Sequence, residues 1–280
     1  MDNYLTRKQA SERLGIHFET LYKIAERKEI EIKLNQALTS VQKSNSELEQ
    51  FAYVASHDLQ EPLRMVTSFL TQLEKKYAVN LDEKAIEYIY FAVDGAKRMR
   101  QIILDLLEFS RVGRNDDTYK EIDLNEIVDE IKLLQSKQIE DLNAKIINQK
   151  LPVIVSHKTP LRQLFQNLIG NSLKYHRNGI TPIINIDCLD LGDFWEFTIS
   201  DNGIGIEKEY HEKIFVIFQR LHNKDEYSGT GIGLAICRKI VESLGGKIWV
   251  ESEINKGSKF HFTFPKKLLT DSLGNLLPDD

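Results

Sequence analysis

Long apolar runs are missing. No stretch of the 280 residues approaches the eighteen or so apolar side chains that a membrane-crossing helix needs. The polar N-terminus shows no secretory leader pattern. There are only two cysteines, Cys188 and Cys237, far apart and without metal-ligand spacing. They read as two buried thiols in a reducing cytoplasm. Positive charge is not in excess: the net charge of -5 argues against a strongly basic nucleic-acid-binding protein. Two phosphate-binding patterns are absent as well. No Gly-x-x-x-x-Gly-Lys-Ser/Thr occurs, which excludes a P-loop enzyme. The glycines at 229, 231 and 233 neither follow dinucleotide-fold spacing nor directly follow a strand. No internal repeat or low-complexity tract occurs. What remains is an ordinary apolar fraction of 41% and enough length for about two domains.

Periodicity divides the chain. Leu34, Leu38, Val41, Asn45, Leu48, Ala52, Ala55 and Leu59 alternate four and three apart, a coiled-coil seam. Leu38, Asn45, Ala52 and Leu59 fall at a; Leu34, Val41, Leu48 and Ala55 fall at d. A single Asn at a favours a parallel pair in fixed register, so a homodimer is expected; the alternative is one amphipathic helix of a monomer. Pro62 should interrupt and kink this helix, which resumes through Phe69 and Leu73 to about residue 80. Asp82 is placed to cap a second helix with the stripe Ala85, Ile89, Ala92, Ala96, Met99, Ile103, Leu106. Two such hairpins from two chains make a four-helix bundle. Residues 111–117 read as a linker. Beyond them, helical runs at 125–142, 160–176, 207–220 and 231–244 alternate with strand-like runs at 145–148, 153–155, 183–189, 195–200, 247–251 and 259–264. The fold class is α+β: a helical coiled coil, an antiparallel hairpin, then an α/β sandwich on a mixed sheet.

Four segments carry chemistry. Counting from Ala52, His57 falls at f, away from the seam, where another domain can reach its imidazole, a nucleophile near neutral pH. Asp58 beside it can hold a ring N–H or take up a proton. Asn167 and Asn171 lie one turn apart on one helix face, with Lys174 following; neutral oxygens and an ammonium suit a metal and phosphate site. In Asp201-Asn-Gly-Ile-Gly205 a carboxylate ends a strand, and Gly203 and Gly205 let backbone approach a planar base. In Gly229-Thr-Gly-Ile-Gly-Leu234, Thr230 and the glycines at 229, 231 and 233 open a helix, with Leu234 its first apolar residue. Free N–H groups there bind anions. Residues 223–228 are polar and suit a lid. Phe215 and Phe218 precede it, as core anchors or as ligand contacts.

Together with Phe51-Ala-Tyr-Val-Ala-Ser-His-Asp-Leu-Gln-Glu-Pro-Leu-Arg64, these segments, in this order, resemble the catalytic half of the sensor histidine kinases over roughly residues 45–265. The His57 tract is similar to phytochrome-type members. The resemblance implies that His57 becomes phosphorylated from ATP with Asp58 assisting. It also implies that Asn171 ligates Mg²⁺ and that Asn167, Lys174, Tyr175, Asp201 and the glycine box through Leu234 hold the nucleotide, Tyr175 and Asp201 at the adenine. The phosphoryl group then passes to a response-regulator receiver domain on a separate protein. Glu61 departs from the Thr or Asn that most such members carry four residues after the histidine, which puts the usual phosphatase activity in doubt. The nucleotide fold is shared with gyrase-, Hsp90- and MutL-type ATPases, but those carry a general-base Glu where this chain has Asn167. A clamp ATPase or a DNA-tethered scaffold are the competing readings.

The implied domains are 1–30, an N-terminal helical segment; 31–48, a coiled coil; 49–112, dimerisation and phosphotransfer; 118–267, ATP binding; and 268–280, a tail. Residues 5–24 have a helix-turn-helix look with Gly15 at the turn, but no third helix fits before the coiled coil. The alternative is a helical cap or sensor remnant, and nucleic acid is not an expected partner. The expected location is cytoplasmic, with no membrane contact in this chain.

Overall fold

A computed structural model describes residues 18–113, 119–221, 227 and 229–266. The first helix-turn-helix half, the end of the 111–117 linker, most of the 223–228 lid and the tail after 266 lie outside the described residues. So do the side chains of His57 and of most of the heptad stripe, from Leu38 to Ala55. The chain falls into two units that divide between Phe51 and Ala52.

Helix α1 (Phe18–Tyr77) runs unbroken through Pro62. The expected interruption does not occur: a proline removes one backbone hydrogen bond, and the turns on either side retain theirs. On the same helix Leu34 is 63% exposed and Leu59 is 53% exposed. Residues 78–80 form a single tight helical turn. Helix α2 (Glu83–Arg111) then starts as expected, with Asp82 accepting from the Ala85 N–H at 2.7 Å. Its buried residues are Ile89, Val93 and Ala96. Ala92 and Met99 of the predicted stripe are exposed in the single chain.

The remainder is a two-layer α/β sandwich. Strand β1 (Lys120–Asp123), helices α3 (Leu124–Leu134) and α4 (Ser136–Asp141), and strands β2 (Lys145–Asn148) and β3 (Val153–Ser156) lead into helix α5 (Lys158–Lys174). Strands β4 (Ile183–Asp190) and β5 (Phe194–Asp201), helix α6 (Gly233–Ser243), and strands β6 (Ile248–Glu253) and β7 (Gly257–Pro265) complete it. The main sheet has the order β2-β4-β5-β7-β6; β2 pairs parallel with β4 and the other pairs are antiparallel, a mixed sheet as expected. Alternation sends Ile184, Ile186, Phe197, Ile199, Phe260, Phe262 and Phe264 to one face. Helix α5 meets that face with Leu161, Leu164, Phe165, Leu168, Ile169 and Leu173, all fully buried. Each such side chain contributes about 1.5–3 kcal/mol over its exposed state. Phe165 stands edge-on to Phe197 and Phe262, which stack on each other at 5.2 Å.

Two expectations are corrected. The run 207–220 is not one helix: it holds two tight turns, Lys208–Tyr210 and Lys213–Phe215, because Ile214 and Phe215 anchor in the core and Val216 turns extended. The run 125–142 is two helices, parted at Gln135. Of the cysteines, Cys237 is buried and Cys188 partly so. Burial pushes both thiols up to about 12, which keeps them inert. No helix among the described residues is long and apolar enough to cross a membrane.

Candidate active site

Helix α5 has one buried face, so its opposite face is fixed by the core beneath it. That places Asn171 and Lys174 in the wall of a cavity of about 250 Å³. Tyr175, Asp201, Gly205, Gly229, Thr230, Gly231, Gly233 and Leu234 line the same cavity. Of the residues predicted for the nucleotide and metal, all but Asn167 and Gly203 reach it. Asn167 lies one turn back, and its side-chain amide donates to the Gly233 carbonyl at 3.3 Å, bracing the start of α6. Gly203 acts behind the wall: a Cβ there would lie 2.4 Å from the Tyr175 carbonyl oxygen, in the turn where the Ile204 N–H donates to that oxygen at 3.0 Å.

Asp201 ends β5 with one oxygen committed. Oδ1 accepts from the backbone N–H of Gly203 at 2.8 Å and of Ser258 at 3.1 Å. Oδ2 accepts from the Ser172 hydroxyl at 3.4 Å. Burial pushes this carboxyl above the usual range, against those three hydrogen bonds, which pull it down. A wall carboxylate with one oxygen pinned offers its other oxygen to a donor in the cavity. Ser172 and Ser258 were not found from the sequence. Ser172 is one more small polar residue on its helix, and Ser258 reaches Asp201 only because β7 pairs with β5.

The opposite end is suited to anions. Among the described residues no side chain caps the start of α6, whose first N–H groups suit an anion. Lys174 Nζ sits beside Gly229, where a Cβ would come within 2.8 Å of it, and it donates to the Tyr175 hydroxyl at 2.8 Å. Tyr227, the one described residue within the predicted lid, packs its ring 5.0 Å from that of Tyr175. The Arg220 guanidinium holds the Tyr227 carbonyl at 2.9 Å. Of the two aromatic residues before the lid, Phe215 is a core anchor; Phe218 is 54% exposed with φ +65°.

Gly205 has φ +75°, and a Cβ on it would fall 2.0 Å from the Glu253 carbonyl oxygen. Gly205→Ala is therefore expected to cost about 1–3 kcal/mol in strain and to weaken nucleotide binding. A thermal melt and a nucleotide titration check this; an unchanged melting temperature contradicts it.

His57 lies on α1, and Asp58 beside it is exposed. Glu61 is exposed as well, 3.9 Å from Arg64.

Two family descriptions match this chain. "His Kinase A (phospho-acceptor) domain" covers residues 47–115, and "Histidine kinase-, DNA gyrase B-, and HSP90-like ATPase" covers residues 156–268. The chain is 44% identical over 233 residues to Cyanobacterial phytochrome A of Nostoc sp., covering 83% of this chain and 30% of that one. It is 43% identical over 233 residues to Phytochrome-like protein Cph1 of Synechocystis sp., covering 83% and 31%. It thus spans less than a third of the length of these relatives. In fold it is similar to full-length ShkA in complex with AMPPNP (TM-score 0.60, 23% identity, 77% of this chain and 45% of that one). It is also similar to the histidine kinase ThkA in complex with the response regulator TrrA (TM-score 0.51, 24% identity, 95% and 68%). With a phosphoacceptor domain followed by an ATP-binding domain most of whose predicted residues gather around one cavity, the chain belongs to the histidine kinase family and carries its catalytic core.

Proposed function

We propose that this chain autophosphorylates His57 from ATP and passes the phosphoryl group to an aspartate of a response-regulator receiver domain. The observation that carries this reading is the single cavity in which Asn171, Lys174, Asp201 and the start of α6 converge. Asp201 Oδ2 accepts from the adenine amine. Lys174 and the backbone N–H groups of 229–234 meet the phosphates.

Asn171 would supply one hard oxygen to Mg²⁺ brought in with the nucleotide. The neutral carboxamide of Asn171 in the cavity wall suits a metal that arrives with the nucleotide. Bound there, Mg²⁺ would draw negative charge off the phosphate oxygens.

The neutral imidazole of His57 attacks the γ-phosphorus in line. A P–N bond forms, the bond to the bridging oxygen breaks, and ADP leaves with its electron pair. The ring proton released passes to the Asp58 carboxylate. Transfer to the receiver aspartate exchanges P–N for P–O and restores the imidazole. Asn167 has no basic oxygen to activate water, and its amide is committed to Gly233, so hydrolysis is slow and the clamp-ATPase reading is disfavoured.

The protein acts as a homodimer. In one chain Leu59, Val66, Phe69 and Leu73 of α1 and Tyr88 and Phe91 of α2 are exposed apolar residues, a surface suited to a second copy. ThkA was solved with a response regulator, which supports a receiver domain as the acceptor here. An ATP and receiver-domain reaction implies a cytoplasmic location.

Asn171→Ala is expected to lose at least about tenfold in Mg-ATP affinity and to keep its affinity for adenosine. Titration calorimetry with and without magnesium measures both; unchanged Mg-ATP affinity refutes the metal role.

A further inference from the structure

The hairpin places a carboxylate of its own in the nucleotide cavity. Gln101 and Asp105, one turn apart on α2, line it together with Asn171, Lys174 and Thr230. Both oxygens of Asp105 are engaged. Oδ1 accepts from Gln101 Nε2 at 2.7 Å, and Oδ2 accepts from the Thr230 hydroxyl. The end of the helix is fastened to the same domain: Lys239 on α6 donates to the carbonyls of Phe109 at 2.8 Å and Ser110 at 3.4 Å. Its ammonium lies 4.7 Å from the centre of the Phe109 ring. A cation at the carbonyl end of α2 is favoured by the helix dipole. Asp105 is thus held at the cavity by a second attachment at the end of α2, and not by its own side chain alone.

Thr230 belongs to the glycine-rich segment that opens toward α6. Its hydroxyl has a single hydrogen to donate. While that hydrogen goes to Asp105, it is unavailable to a phosphate oxygen. Two anions cannot share the position without repulsion, and Glu108, one turn along α2, adds a further carboxylate nearby.

We propose that Asp105 is a built-in competitor for the phosphate end of the nucleotide, occupying the Thr230 hydroxyl from the hairpin until ATP displaces it. This rests on the nucleotide reading above and adds a regulatory contact to it. Linkage makes the effect reciprocal: a rearrangement that draws α2 away tightens ATP binding, and ATP binding loosens α2.

The test is titration calorimetry on the whole chain, wild type and Asp105→Ala, with three ligands: the magnesium complex of a non-hydrolysable ATP analogue, ADP, and adenosine. Asp105→Ala is expected to bind the analogue about tenfold more tightly, ADP with a smaller gain, and adenosine unchanged. Asp105→Asn is isosteric and can still accept from Thr230. It keeps the fold if the alanine variant does not, and shows a smaller gain of the same sign. Unchanged or weakened analogue binding overturns the proposal. So does an equal gain for adenosine, which has no phosphate to compete. Failure of the wild-type chain to bind any of the three refutes the nucleotide reading itself, and is seen before any variant is compared.

Discussion

Replacing His57 by Ala is expected to abolish transfer of label from γ-labelled ATP to the chain while ATP affinity stays as in the wild type. The two halves of this result have different physical origins. The nucleotide cavity is built from α5, the ends of β5 and α6, and α2; no described side chain of α1 lines it. Truncating a side chain on α1 therefore leaves every proposed nucleotide contact in place. Alanine is the best helix former, so α1 does not suffer. What disappears is the nucleophile. Asp58 remains but is a weak nucleophile, and Asn167 cannot activate water in its stead. Filter-bound radioactivity measures transfer, and titration calorimetry measures binding. Label that persists in the variant would mean another acceptor. Lost ATP binding would mean that His57 supports the cavity instead of reacting with its contents.

Asp201→Asn is expected to lower ATP affinity by about 2–4 kcal/mol, roughly 30- to 1000-fold. The loss follows from which oxygen is free. Oδ1 accepts two backbone N–H groups, so an amide at this position must keep its oxygen there. Its NH₂ is then forced to the Oδ2 position, where it meets the adenine amine donor to donor. Inosine triphosphate carries an acceptor at that place on the ring. The variant should therefore bind it better than ATP, reversing the preference of the wild type. An acid titration of the wild type gives a second readout. Burial raises the Asp201 carboxyl above the ordinary range. ATP affinity should consequently fall, as pH drops, at a higher pH than an exposed aspartate would give. Stability shifts the opposite way. The folded state takes up this proton before the unfolded state does, so the group favours folding at low pH and loses that contribution as pH rises through its raised value. Equal loss for both nucleotides would show that Asp201 only shapes the loop.

The two halves of the chain were legible to different degrees. The β-sheet strands other than β1 were readable because each alternates strongly enough to define its own inner face, as Phe260, Phe262 and Phe264 do. Strand β1 has only Ile122 buried; what makes it a strand is its antiparallel pairing with β3, which no local pattern announces. The segment 207–220 has helix-like composition, yet Ile214 and Phe215 are pulled into the core and the backbone between the glycine loops cannot stay regular. Within the site, the Asn helix and the glycine boxes were readable because their spacing is local. Gly257 was not: a Cβ there would fall 1.9 Å from the Asp201 carbonyl oxygen, a constraint created by strands far apart in sequence. Asp105 was equally hidden. On a helix wheel it is one more polar residue beside the apolar stripe; only the packing of α2 against the ATP-binding domain gives it a partner in Thr230.

The most direct test is to incubate the wild-type chain with γ-labelled ATP and magnesium, digest it, and map the labelled residue. The account predicts a single labelled site at His57, with acid-labile, base-stable phosphate. Acid-stable label, label on another residue, or release of free phosphate with none left on the protein would contradict it.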